Sequence, residues 1–317
     1  MCTIGGSFYN IDGVGLQSVF KQCDLISKTE FIAPKVETSD KSIRYVPFTR
    51  DRGGEYPAWA GINEYGVSFV AADSYIDADK KDKCTHREKV NASVFDMYKN
   101  IIASYTTADE AVKMAKEFYE NSIYASDTDP LTDILLIADR ENMYFIETVN
   151  KVVRIVHRKN GYFASTNHCR MFFEAVPYEQ NHSTYLRLDR AEKILQNKPD
   201  IDGIGDLLRD SYYGKTVWSV CRYASLTDKN GSDTASNDTE EDLFYTQAAV
   251  IFTVLENSIN PAKPEIICEY VINNNAAAEN VGRIWKPFEE EASSEVKYIG
   301  KSENIKQYLN QSDLIMK

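Results

Sequence analysis

The stretch MCTIGGSFYNIDGVGLQSVFKQCD, residues 1–24, decides how the rest of this chain is read. Its halves, Cys2–Tyr9 and Val14–Asp24, have the composition of strands. They flank Asn10-Ile11-Asp12-Gly13, which is rich in turn formers and signals a β-hairpin. The hairpin starts with a cysteine. Removal of Met1, which a small second side chain permits, would make Cys2 a free N-terminal residue. Such a residue carries a nucleophile and a base together. A free Cys titrates near about 8.5, and the thiolate is its reactive form. The α-amine titrates near about 7.7–8.0, so it can take the thiol proton and later deliver it to a leaving amine. Taken alone, position 2 reads equally as an ordinary small buried residue.

Outward from the hairpin, further strands are expected at Gly66–Ala72, Asp133–Ala138, Met143–Val149, Val152–His157, Ala248–Leu255 and Ile266–Ile272, all rich in Val, Ile, Phe and Tyr. Asp139–Asn142 would close a second hairpin. Helical spacing runs through Ser93–Tyr105, with Val94, Tyr98, Ile101, Ile102 and Tyr105 on one face. Thr107-Ala108-Asp109-Glu110 matches a capping box, and the helix it opens would turn Ala111, Met114, Ala115 and Phe118 inward. Ser183–Gln196, capped at Ser183 or Thr184, and the shorter Ile204–Ser211 complete the set. The order is strands, two helices, strands, two helices, strands. It predicts an α+β fold with mostly antiparallel sheets covered by helices, a four-layer αββα sandwich if there are two sheets.

Composition narrows the function. The 317 residues carry 36 Lys+Arg against 48 Asp+Glu, a net charge of -12. That balance argues against a nucleic acid or an anionic membrane as partner, since both need a basic face. With 43% hydrophobic and 26% charged residues the chain is globular, not disordered. No apolar run approaches the roughly 18 residues of a membrane span. The opening residues lack the basic and apolar regions of a signal peptide, so a cytoplasmic location is expected. The polar stretch Thr227–Asp242 reads as a surface loop inside one domain spanning residues 1–317. The six cysteines (Cys2, Cys23, Cys84, Cys169, Cys221, Cys268) are scattered, and read as free thiols. His86, His157, His168 and His182 form no metal-ligand spacing with them. No metal and no cofactor are expected.

Several short segments, in order, resemble one family: Cys2-Thr3-Ile4, Lys21-Gln22-Cys23-Asp24, Trp59-Ala60-Gly61-Ile62-Asn63-Glu64-Tyr65-Gly66-Val67, Ala164-Ser165-Thr166-Asn167-His168, Ser183-Thr184-Tyr185-Leu186-Arg187 and Ser219-Val220-Cys221-Arg222. The chain resembles the N-terminal-nucleophile cysteine hydrolases: penicillin-V acylase, bile-salt hydrolase and the acyl-coenzyme A:6-aminopenicillanic acid (isopenicillin-N) acyltransferase group. The resemblance implies Cys2 as nucleophile and, through its amine, base. It implies Asp24 as the carboxylate that orients the N-terminal group, and Lys21 as the basic residue preceding it by three. Lys21 and Asp24 face opposite ways on an ideal strand, so a bulge or strand end must intervene if both reach the site. Asn167 matches the oxyanion-hole asparagine. Arg222 matches an arginine near the nucleophile, able to favour the thiolate or hold a substrate carboxylate. His168 is expected to pack or hydrogen-bond structurally, since the amine already fills the base role.

The chain departs from the family at Asp73, where bile-salt hydrolases have asparagine. An acid there is a poorer oxyanion donor, so Asp73 is assigned to contact with substrate or the amine. Cys23 replaces the usual Leu, Arg or Glu before the aspartate. No Gly precedes Cys2, so cleavage into two subunits, known in the fungal acyltransferases, is not expected. Phe172 and Phe173 are candidates to line an acyl pocket, with core packing as the other reading. The resemblance implies an enzyme cleaving a linear amide of a small-molecule substrate through a Cys2 thioester. Water would complete an amidase and a second amine an acyltransferase. Coenzyme A would enter only as a leaving group. An acyl-coenzyme A-dependent N-acyltransferase, a catalytically silent acyl-binding protein and a homo-oligomer stay open.

Overall fold

Asp12 and Gly13 both take positive φ, 52° and 88°, as a two-residue hairpin turn requires. The strand before the turn therefore runs further than composition suggests, to Ile11, and the one after it starts at Val14 as expected. A computed structural model describes residues 2–25, 29–72, 74, 87–122, 132–172, 183–214, 218–222, 245–255, 263–289 and 292–314. Asp73, Phe173, Cys84, His86, His182 and the Thr227–Asp242 stretch lie outside them.

Among the described residues, fourteen strands form two seven-stranded sheets. The first contains β1 (Cys2–Ile11), β2 (Val14–Leu25), β10 (Tyr162–Ser165), β11 (Tyr245–Leu255), β12 (Glu265–Ile272), β13 (Gly282–Trp285) and β14 (Ser294–Val296), in the order β10-β1-β2-β11-β12-β13-β14. The second runs in chain order: β3 (Glu37–Thr38), β4 (Arg44–Thr49), β5 (Ala58–Asn63), β6 (Ser68–Ala72), β7 (Thr132–Ala138), β8 (Met143–Val149) and β9 (Val152–Arg158). Every neighbouring pair is antiparallel. The sheets face each other across an apolar layer that includes Ile4, Val19, Phe48, Trp59, Val70, Phe145 and Phe252. Helices α1 (Arg87–Ser104) and α2 (Ala108–Glu120) cover the outer face of the second sheet. Helices α3 (Ser183–Asn197), α4 (Ile201–Leu208) and α5 (Ser302–Leu314) lie over the first. This is the expected αββα sandwich. No described helix is long and apolar enough to cross a membrane.

Some elements differ from the sequence reading. Pro47 in β4 removes a ladder donor, and half of β5 (Ala-Trp-Ala-Gly-Ile-Asn) is Ala or Gly, so neither stands out as a strand. Gly61 has a packing reason: a Cβ there would lie 2.5 Å from Ile102 Cδ1, so the missing side chain lets α1 settle onto β5. Helix α1 begins at Arg87, before its apolar stripe starts, and ends before Tyr105. Thr107 does cap α2, accepting from the Glu110 N–H. The buried line of α2 is Ala108, Ala111, Val112, Ala115 and Tyr119, while Met114 and Phe118 flank it only partly covered. Helix α4 starts three residues before Ile204, capped by Asp200 accepting from the Gly203 N–H.

Candidate active site at the start of the first strand

Alternation along β2 sorts its residues between the two faces of the sheet. Val19 and Cys23 face the second sheet, with Cys2 and Ile4 of β1. Lys21 points the same way and is buried, its ammonium donating across the sandwich to the Trp59 and Ala71 carbonyls at 3.1 and 2.5 Å. Phe20, Gln22 and Asp24 face the helices over the first sheet. There Gln22 donates to the Val220 carbonyl and Thr246 Oγ1, and Thr246 in turn donates to Asp24 Oδ1 at 2.7 Å. Arg222 Nε approaches Asp24 Oδ2 at 3.7 Å, with both side chains fully buried. A register shift in β11 between Thr246 and Ala248 sets Thr246 opposite Asp24. Lys21 and Asp24 thus do occupy opposite faces, and it is the strand end that brings both near the opening residues. Cys2 pairs with Cys23, so Asp24 follows directly after the residue opposite Cys2.

Asn167 arrives from the other side. Strand β10 pairs with β1 from Ser7 to Ile4, and two more steps of that register place Asn167 opposite Cys2. The Cys2 N–H donates to Asn167 Oδ1 at 2.8 Å. The same oxygen accepts from Arg187 Nη2 at 3.0 Å. Two donors converging on one side-chain atom identify it as the oxygen, which leaves the Nδ2 amide as the donating end. Arg187 is fully buried on α3, and its other nitrogen donates to the Cys2 carbonyl at 2.7 Å and Thr3 Oγ1 at 3.1 Å. One guanidinium therefore holds the backbone of Cys2 and the orientation of Asn167 together.

Ser183 and Thr184 fall within α3, where their hydroxyls serve the site. Thr184 Oγ1 accepts from the Asn167 N–H at 3.0 Å and contacts His168 Nδ1 at 2.9 Å. Ser183 Oγ accepts from Arg222 at 2.8 Å. His168 is buried between the Thr166 and Thr184 hydroxyls and packs on the Tyr185 ring, the structural role expected of it. Beyond it, Glu147 on β8 accepts the Arg170 and Met171 N–H groups and fixes the loop from below. Burial pushes the Glu147 carboxyl up, against those two hydrogen bonds. Phe172 lies under the Arg154 guanidinium, 4.2 Å from ring centre.

Thus Cys2, Lys21, Asp24, Asn167 and Arg222 converge on one strand end. Arg187, Thr184 and Glu147 join them, although the sequence assigns them no role in the site. Arg187 and Thr184 are marked there only by the Ser183–Arg187 segment, and Thr184 reads as a helix cap. Among the described residues gathered here, three buried cations, Lys21, Arg187 and Arg222, stand against two buried carboxylates, Asp24 and Glu147. An excess of positive charge in a buried site favours an anion such as a thiolate. Cys169 lies against Ser74 Oγ and Cys221 donates to Asn275 Oδ1, and burial pushes each thiol up to about 12. These two are poor nucleophiles at neutral pH. Among the described residues no group of three or more His, Cys, Asp or Glu is placed to hold a metal ion.

Residues 55–232, more than half of the chain, match the family model described as acyl-coenzyme A:6-aminopenicillanic acid acyl-transferase. That span contains Asn167, Arg187 and Arg222 but not Cys2, Lys21 or Asp24. The fold is similar to that of a C2A mutant of the conjugated bile acid hydrolase from Clostridium perfringens, at 14% identity and a TM-score of 0.51, covering 94% of this chain and 98% of that one. A second variant of the same hydrolase gives 14% identity and a TM-score of 0.50 with the same coverage. Comparison with curated proteins finds no relative that matches in sequence.

Proposed function

The chain belongs to the acyl-coenzyme A:6-aminopenicillanic acid acyl-transferase family, and on that footing we propose that it transfers the acyl group of a linear amide to Cys2 and releases it by hydrolysis. The observation that carries this reading is the contact from Cys2 N to Asn167 Oδ1 at 2.8 Å, locked by Arg187. It fixes the first backbone nitrogen of the strand, orients Asn167, and survives the exposure of an α-amine, which is still a donor. Removal of Met1 frees that amine. Lys21, Arg187 and Arg222 favour the thiolate and disfavour a further ammonium, so both groups of Cys2 are drawn toward their reactive forms. Asp24, adjacent in register, orients the amine.

In the reaction Cys2 Sγ attacks the amide carbonyl while the α-amine takes the thiol proton. The tetrahedral oxyanion accepts from Asn167 Nδ2 and a backbone N–H. The amine then returns its proton to the departing nitrogen, leaving a thioester on Cys2. Water attacks it and the acid leaves. The substrate class is an N-acyl amine or N-acyl amino acid, processed in the cytoplasm without a cofactor. Asp73, Phe172 and Phe173 are the substrate-contacting residues in this reading. The family description favours a second reading, in which an amine replaces water and an acyl-coenzyme A donates the acyl group, with coenzyme A as the leaving thiol.

Intact-mass spectrometry tests the proposal. Active protein should lack Met1, and incubation with a panel of penicillins, bile-acid conjugates and N-acyl amino acids should leave an acyl adduct on Cys2 that Cys2→Ala abolishes. Active protein that retains Met1, or an adduct that survives Cys2→Ala, would overturn it. Turnover of a thioester only when an amine is added, with no hydrolysis of any amide, would select the transferase.

A further inference from the structure

The hairpin register places Cys23 directly across from Cys2. Directly opposed residues of an antiparallel pair share a face, with Cα atoms about 4.5–5.5 Å apart. That lies within the span of about 4.4–6.8 Å which a disulfide bridges. Both residues are free thiols, buried in the layer between the sheets. The Cys23 thiol is held by a hydrogen bond to Cys2, and this contact, followed by burial, pushes it well above the ordinary thiol range against the pull of Lys21 and Arg50. Cys23 therefore keeps its proton. No other pair of described cysteines faces each other across neighbouring strands: Cys169 meets Ser74, Cys221 meets Asn275, and Cys268 pairs within its sheet with Phe252 and Trp285.

We propose that Cys2 and Cys23 form a reversible cross-strand disulfide when the protein meets a hydroperoxide, with Cys23 acting as the resolving thiol. The Cys2 thiolate attacks one peroxide oxygen, the O–O bond breaks, and hydroxide or alkoxide leaves. Cys2 then carries a sulfenic acid. Cys23 sulfur attacks the Cys2 sulfur, the S–S bond forms, the S–O bond breaks and water departs with the Cys23 proton. Two thiols lose two electrons and the peroxide gains them. An external thiol restores both cysteines by exchange. The bridge spares Cys2 from irreversible oxidation to the sulfinic acid. Its effect on turnover rests on the reading of Cys2 as nucleophile; its formation does not.

The test is peptide mapping of the full chain. Reduced protein is treated with stoichiometric hydrogen peroxide, alkylated, and analysed by intact mass and by non-reducing digestion. The expected result is a loss of two hydrogens, a cross-linked peptide joining Cys2 to Cys23, and a parallel loss of nearly all turnover that dithiothreitol reverses. Cys23→Ala and Cys23→Ser, each compared with its own untreated rate, should lose turnover irreversibly as Cys2 gains two oxygens. Cys2 that gains oxygen in the wild type while Cys23 is still alkylated would overturn the proposal, and that readout stands even if neither variant folds. A Cys2–Cys23 cross-link in protein without amide cleavage would sustain the disulfide and sink the functional reading.

Discussion

Replacing Arg187 with Met tests the logic of the site at the point where it is most exposed. The guanidinium is fully buried and donates to Asn167 Oδ1, the Cys2 carbonyl and Thr3 Oγ1. Charge-assisted bonds of this kind contribute about 1.5–3 kcal/mol each. A methionine of similar length leaves no unpaired cation behind, so part of that loss is offset by the desolvation no longer needed. The net expectation is a stability loss of about 2–4 kcal/mol. The catalytic effect is separable. With Arg187 present, flipping the Asn167 amide forfeits two donors on Oδ1 and sets an NH2 group against both. Without it, the Cys2 N–H still opposes the flip, and a neutral hydrogen bond holds by about 0.5–1.5 kcal/mol. A flipped Asn167 offers the oxyanion a carbonyl, and losing one oxyanion donor costs about 100- to 1,000-fold in kcat. Partial flipping predicts a fall in kcat of about tenfold to a hundredfold, with KM almost unchanged, because ground-state contacts are not touched. The assay is single-turnover acylation of Cys2 followed by intact mass, beside thermal melting. Arg187→Lys keeps the charge without the fork and should fall between wild type and Met. A folded Arg187→Met protein that acylates within about threefold of wild type, a difference under 1 kcal/mol, would refute the coupling between Arg187 and Asn167.

Two further outcomes follow from buried features outside the site. Burial pushes the Glu269 carboxyl up from 4.5 to about 7, against hydrogen bonds from Asn304 and the Gly300 N–H. A folded value above the unfolded one means that the native state holds the proton more tightly, so this stabilisation is complete below about pH 4.5 and lost as pH rises through about 7. Glu269→Gln should remove that slope, and by about pH 8 should gain stability of order 3 kcal/mol over wild type, read from denaturant melts across pH; parallel curves for the two proteins would refute it. Gly205 of α4 lies against the Gly300 backbone, where an added Cβ would sit 1.9 Å from the carbonyl oxygen. Gly205→Ala should therefore cost about 1–3 kcal/mol by overpacking, lowering the melting temperature but leaving the acylation rate of the folded protein unchanged; an unaltered melting temperature would show that this contact is not tight.

The αββα architecture was legible because its central pieces carry local signals. Asp12-Gly13 marks a hairpin turn, and Thr107 and Glu110 mark the start of α2. Strands β7, β8 and β9 have the β-branched composition that burial between layers favours. Elements whose residues are chosen for tertiary contact are harder to see. Pro47 and Gly61 lie in strands because of what packs beside them, and α5 has few apolar positions, its Ile305 and Tyr308 reaching the first sheet. The site divides in the same way. Cys2, Asp24, Asn167 and Arg222 are chemically conspicuous in their motifs. Arg187 and Thr184 lie on a helix where charged and hydroxyl residues ordinarily face water, and Glu147 lies in a strand of apolar residues. Only the packing of α3 against β10, and of the 166–171 loop onto β8, shows that all three are buried.

The placement of the proposed nucleophile, Cys2, at a strand end, rather than within a strand, explains how so many groups reach it. A cysteine in mid-strand presents its thiol to one face and gives its backbone N–H to a neighbouring strand or to the pleat. Cys2 presents its thiol to the inter-sheet layer, beside Cys23 and on the same face as Lys21. Its backbone nitrogen is held by Asn167 at the sheet's end. Its carbonyl is held from the helix side by Arg187. Asp24 and Arg222 belong to that same helix side, so inner and outer layers both contribute to one residue. In the proposed reading, removal of Met1 frees an α-amine that Asp24 orients. On that reading an active chain begins at Cys2, and mass analysis of the active protein should find that residue first.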